Sequence, residues 1–214
     1  VVKKTLLTII ILFLGTFSVS AQLYRYLDTQ QGLSSRRVIA VEKDQKGYMW
    51  FLTQEGVDRY NGKQFTNYIL SDGNRPVLHF PNLSQLHIDN QDDIWVTGKN
   101  GFIFKYNQML DKYDLVMNFA DSLKTKRRLP LTHTSIDRQN NLWLCTRNAQ
   151  YIYRTDTKHV IKLETPIKEE VFYIEQAKGN RYFFGTRENV YVASLKGNRL
   201  VLEPEHTISN IHRV

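Results

Sequence analysis

A chain of 214 residues with 42% hydrophobic and 23% charged residues is long enough to bury a core and too apolar to be disordered. Its formal charge of +8 falls by two when Lys3 and Lys4 of an apolar leader are set aside, and so modest an excess demands no nucleic-acid partner. One cysteine, Cys145, excludes an internal disulfide framework; after Trp143 in an apolar run it reads as a buried small residue, with a nucleophile as the rival reading.

Residues 1–21 carry a basic pair, an apolar stretch from Leu6 to Phe17, and Val19-Ser20-Ala21 before Gln22. That is the layout of a secretory signal peptide, too short to span a bilayer in the ordinary way, with an uncleaved anchor as the alternative. Leu23 to Leu27 then resembles the outer strand at Phe65 to Leu70, as though a last strand had been placed first.

From Asp44 a pattern begins that comes back three times. An acidic residue opens a polar turn, a Trp follows six positions later, and a Tyr closes the unit. The members are Asp44, Gly47, Trp50, Gly56 and Tyr60; Asp89, Trp95, Gly101 and Tyr106; Asp137, Trp143 and Tyr153. A weaker fourth copy runs from Ala177 to Tyr191 with Phe183 in the Trp place. A period of about 45 residues marks blades or solenoids. Alternating Tyr, Phe, Trp, Val and Ile broken by tight Gly and Asn turns point to strands of period two. The expected fold is therefore all-β, a β-propeller of four-stranded antiparallel blades with about four present, at 38–70, 82–119, 131–164 and 170–204. Asn74 to Pro81 is expected to be a connection. Residues 208–214 repeat the opening of the second blade, LSQLHID, so 22–214 is expected to be a partial propeller entering a fifth blade, with open edges that invite aggregation.

The stretch with Gly32-Leu33-Ser34, Asp44, Gly47, Trp50, Thr53, Gly56-Val57-Asp58-Arg59-Tyr60 and Asn61-Gly62 resembles the repeat of the two-component regulator propellers. Later copies depart from it: Asp92 and Asn140 stand for the first Gly, Ala149 for the second, and the fourth lacks both Asp and Trp. The resemblance implies the periplasmic sensor region of a hybrid two-component histidine kinase, followed in the whole protein by further blades, a β-sandwich, a membrane helix and kinase modules. It further implies a homodimer and an oligosaccharide input.

No kinase chemistry, cofactor site or metal-ligand spacing is legible; His79, His87, His133, His159, His206 and His212 show no pair with a third partner. His87 and His212 occupy equivalent strand positions, which favours a structural role. A sialidase-type Asp box would place Trp five residues after Asp, not six, yet an exported carbohydrate-active enzyme stays open as an alternative, as does a secreted binding propeller without a kinase. Ligand candidates are the charged tips expected on one rim: Arg36, Arg37, Lys99, Asn100, Arg147, Asn148 and Arg187, which could pair with uronate or sulfate oxygens or be plain solvated turns. The basic run Lys124 to Arg128 has the same two readings. The three Trp read as inter-blade packing in preference to sugar platforms.

Overall fold

The computed structural model describes residues 25–71, 76–78, 83–125 and 129–208. The leader at 1–21, the first two residues of the expected opening strand, residues 126–128 of the basic run and the fifth-blade segment beyond Ile208 lie outside them.

The described residues form four four-stranded antiparallel sheets, each a simple meander. The first holds β1 (Val38–Lys43), β2 (Met49–Thr53), β3 (Val57–Tyr60) and β4 (Phe65–Tyr68). A two-stranded ribbon, β5 (Leu70–Ser71) and β6 (Pro76–Leu78), leads to the second sheet: β7 (Leu83–Ile88), β8 (Ile94–Gly98), β9 (Phe102–Asn107) and β10 (Lys112–Asn118). After a one-turn helix, α1 (Phe119–Ser122), come β11 (His133–Ile136), β12 (Leu142–Thr146), β13 (Ala149–Arg154) and β14 (His159–Lys162), then β15 (Tyr173–Gln176), β16 (Arg181–Gly185), β17 (Val190–Lys196) and β18 (Arg199–Leu202). First strands stand side by side, β1 against β7, β7 against β11 and β11 against β15, which is consistent with a propeller-like fold.

The repeated motif is a clamp. Asp44, Asp89 and Asp137 each accept the indole N–H of the Trp six residues on, at 2.9, 3.0 and 3.1 Å. The other carboxylate oxygen accepts the backbone N–H four residues on, from Tyr48, Asp93 and Asn141. Both ends of each pair are buried, so the carboxylate satisfies an indole donor that burial would otherwise leave unpaired. Inside each turn, Gly47, Asp92 and Asn140 take positive φ of 89°, 64° and 61°. Asp and Asn tolerate that region best after Gly, which is why these replacements are possible. They also bind the preceding sheet: Gln45 N donates to Asp92 Oδ1 (2.9 Å) and Asn90 N to Asn140 Oδ1 (3.0 Å). Arg138 N finds the Gln176 Oε1 of the fourth sheet in the same way, at 2.6 Å.

The apolar cores lie between sheets. Trp50, Leu52 and Val57 pack with Leu86, Ile94 and Phe104; Trp95 and Ile103 pack with Leu142, Leu144 and Tyr151; Trp143, Cys145 and Ile152 pack with Ile174, Tyr182 and Phe184. Cys145 is wholly buried, which pushes its thiol well above the usual range and leaves it a packing residue. In the first sheet the Gly-Leu-Ser turn is held by buried Asp58, which accepts from Ser34 N (2.8 Å), Ser34 Oγ (2.7 Å) and Asn67 Nδ2 (2.6 Å). That contact joins the Gly32-Leu33-Ser34 turn to the Gly56-Val57-Asp58 hairpin.

Three local expectations need correction. Pro76 lies in a strand, tolerated because its ribbon has only two members and a proline needs to lack partners on one side. The described part of the expected opening strand, Arg25 to Leu27, is irregular; Arg25 reaches the Gly62 carbonyl at 2.7 Å instead. In the fourth repeat Phe183 does hold the Trp register, opposite Glu175, but Val192 stands opposite it in β17, so Ala193 and not Tyr191 takes the closing Tyr place. Phe183 is 40% exposed, and it lies on the sheet face that a following sheet would cover. Ile208 bridges back to Val190.

Two glycines separate conformational from steric need. At Gly47 a Cβ would meet nothing within 4 Å, whereas at Gly56, φ 151°, it would lie 2.3 Å from the Tyr68 carbonyl oxygen. Gly56→Ala is expected to cost more than about 2 kcal/mol and Gly47→Asn less than about 1 in urea denaturation. The wholly buried Gln150 amide has no hydrogen-bond partner among the described residues. Gln150→Met is therefore expected to raise stability by about 1 kcal/mol in the same assay.

Candidate functional site

The β2–β3, β8–β9, β12–β13 and β16–β17 hairpins and the segments leading into first strands occupy one end of the sheets, as the meander requires. Hydrogen bonds tie them into a rim. Gln54 N donates to Arg37 O (3.0 Å), Leu131 N to Lys99 O (2.9 Å) and Thr132 Oγ1 to Val171 O (3.0 Å). At the tip of β8–β9, Gly101 has φ 88°, and its carbonyl accepts from Phe119 N of α1.

All the rim candidates lie at this end. Arg36 and Arg37 precede β1, with Arg36 in a recess shared with Arg25, Tyr26 and Asp28; Lys99 and half-buried Asn100 sit at the second hairpin tip. Arg147 and Asn148 are exposed at the third tip, where Arg147 Nε stands 3.6 Å from Glu170 Oε2. Arg187 borders a recess of about 730 Å³ with Glu169, Glu170, Phe172, Thr186 and Glu188. The rim at the fourth sheet is thus of mixed charge, which sequence reasoning missed because Glu169 and Glu170 lie outside the repeated motif. Although desolvation works against it, Glu169 is held below its usual range by donors: Thr186 Oγ1 (2.5 Å), Asn189 Nδ2 (2.8 Å) and the Tyr191 hydroxyl. A carboxylate so held is an acceptor, not a proton donor.

Two further constellations join the sheets. Arg59 donates to the Tyr106 hydroxyl (2.5 Å) and Asp111 (3.1 Å), and its guanidinium lies 5.1 to 5.8 Å from the ring centres of Tyr48, Trp50, Tyr68 and Tyr106. Tyr68 and Tyr106 also donate to Asp111, at 2.7 and 2.5 Å, and hold its carboxyl below the usual range. Near the first strands, Gln85 Nε2 meets His133 Nδ1 (3.0 Å), His87 Nε2 meets Thr134 Oγ1 (2.9 Å), and Thr134 Oγ1 meets Thr97 Oγ1 (2.7 Å). His87 therefore serves as a structural link. Desolvation, with the nearby His133, brings His87 down to about 3, and desolvation brings His133 down to about 4. Glu203, Glu205 and His206 could together offer metal ligands, but Glu203 already binds Arg181 (2.7 Å) and Ser194, so the group reads as an ion-pair network.

No protein-family model matches the chain, and no curated protein does. Solved structures do. The fold is similar to the extracellular domain assigned to hybrid two-component system BT3049 of B. thetaiotaomicron, with a TM-score of 0.65 and 19% identity over 84% of this chain and 26% of that one. For the corresponding domain of BT4673 the TM-score is 0.61 and the identity 16%, over 83% of this chain and 25% of that one. PorZ, a surface component of the type-IX secretion system of Porphyromonas gingivalis, matches with a TM-score of 0.62 and 15% identity over 82% of this chain and 23% of that one. The chain spans about a quarter of the length of these proteins. No helix among the described residues is long and apolar enough to cross a membrane.

Both histidines are neutral when folded and titrate near 6.5 when unfolded, so the unfolded chain binds more protons in acid. Stability should be flat above about pH 7.5 and decline toward about pH 4, by about 4 kcal/mol at pH 5, about 2 from each histidine. Urea midpoints across that range test this, with the slope reduced in His133→Gln. Arg59→Met and Asp111→Asn should show a coupling of about 1 kcal/mol in a double-mutant cycle, no more because half of the Asp111 side chain faces water.

Proposed function

We propose that the chain is the N-terminal sensor portion of a hybrid two-component histidine kinase, a β-propeller exported to the periplasm that detects a glycan or glycan fragment and passes the signal across the membrane. The observation that carries this reading is the coincidence of the first-copy motif, Gly32 to Gly62, with a fold shared with extracellular domains of such systems. In it the 22–214 arc is continued by further blades, a membrane segment and kinase modules, and pairs of chains transmit the change. The rim arginines and lysines, Arg36, Arg37, Lys99, Arg147 and Arg187 with Asn100 and Asn148, are its first candidates for ligand contact through bidentate or single hydrogen bonds. No catalytic residue is assigned.

The likeness to PorZ favours a second reading, an exported binding propeller without a kinase. An antibody to the Asp58 to Thr66 peptide, used on denatured fractions of the native cell envelope, separates the two. The sensor reading expects an inner-membrane band far larger than 214 residues account for. A small soluble or outer-surface band would replace it with the second reading.

A further inference from the structure

The contact between the first two sheets and that between the next two follow one plan with different residues. Arg59 stands opposite Trp50, and Lys105 stands opposite Trp95. Tyr48 and Asp93 each precede their Trp by two. Tyr68 stands opposite Val57, two before Arg59; Met117 stands opposite Ile103, two before Lys105, with Val116 as the extra residue of a bulge beside it. Tyr113 pairs with Tyr106 as Val160 pairs with Tyr153. Asp111 and Lys158 each follow the motif Tyr by five, with positive φ of 48° and 57°. In the second contact, then, three aromatic rings give way to an aspartate, a methionine and a valine, and the carboxylate that met the cation gives way to a second cation. Lys105 turns aside to Asp93, at 2.5 Å, and Lys158 makes no ion pair among the described residues. What remains is a cleft of about 900 Å³, at the end of the sheets opposite the rim.

The volume is that of a small-molecule site. The walls define its chemistry. Asp93 and Lys105 neutralise each other, and Asp156 and Lys158 bring one charge of each sign. The Asp89 carboxylate is already taken up by Trp95 Nε1 and the N–H groups of Gln91 and Asp93, so the walls offer an anion no net gain and a cation no unspent carboxylate pair. Gln91 on one side and Gln139, Thr155 and His159 on the other offer donors and acceptors. Val116, Met117 and Val160 supply apolar surface between them. We infer that the cleft between the second and third sheets binds a neutral polyhydroxylated molecule of one or two rings, C–H faces on the valines and hydroxyls on the polar walls. This rests on the lining of the cleft, not on the sensing role, and places a ligand away from the rim.

The test is calorimetric titration of the full chain with cellobiose and maltose, and with glucuronate and glucosamine as charged counterparts. At least one neutral disaccharide should saturate one site, with either charged sugar at least tenfold weaker. Lys158→Asp, which offers Lys105 the carboxylate of the first contact, should weaken binding tenfold or more without lowering the melting temperature; Val116→Tyr, which refills the space, should do the same. Lys43→Ala with Lys196→Ala, both exposed and outside cleft and rim, should leave binding unchanged, and Arg147→Ala with Arg187→Ala serves as the rim double variant. Absence of binding by both neutral sugars, preference for a charged one, or indifference to both cleft variants would overturn the proposal. Binding lost only in the rim double variant would overturn it too, while leaving saccharide sensing intact.

Discussion

A buried indole N–H needs an acceptor, and in this chain the acceptor is always the aspartate six residues earlier. From that constraint much of the architecture follows. The carboxylate fixes the first turn of each sheet through backbone N–H groups and at the same time orients the Trp ring toward the next sheet, where the core lies. The fourth repeat shows the converse. Phe183 has no indole N–H, so the residue in the aspartate place can be Ala177, and the turn closes through Ala177 N and Arg181 O and through the Gln176 side-chain amide on the Gly179 carbonyl, with Gly179 at φ 67°. Loss of the acid and loss of the indole are one event chemically, not two.

Given common clamps, the contacts between sheets differ in what fills the space around them. An arginine ringed by aromatics and a carboxylate closes the first, and Trp143 against Tyr182 and Phe184, with ring centres 4.5 and 5.8 Å apart, closes the third. The middle contact is joined near the first strands by the histidine and threonine network and opens toward the third-to-fourth-strand hairpins. Rigidity and recognition are thus allotted to different interfaces of one repeat array, while the mixed-charge rim occupies the other end.

The strands were legible because period-two alternation and tight turns are local signals, and the Trp positions were legible because the clamp spans only seven residues. Asp111 and Lys158 were not, since their meaning lies in which cation they face across an interface some fifty residues back in the chain. The same holds for Glu169 and Glu170, whose importance depends on the hairpins folded over them. Tyr191 was misplaced because the eye follows a tyrosine, whereas the ladder counts backbone pairs and arrives at Ala193. Asp92 and Asn140 looked like decay of a glycine; they are the groups that receive the preceding turn.

Those receiving side chains give the array a grammar of succession. Each turn extends an N–H forward and the following sheet must hold out an oxygen to meet it, from Asp92, Asn140 or Gln176. The repeats are therefore not interchangeable bricks. A shuffled protein with its third repeat moved to the front would keep every clamp and the Gln45–Asp92 junction, yet its leading turn would meet Gly47, which has no side-chain oxygen to hold out, so sequence order along the chain is also a rule of adjacency in space.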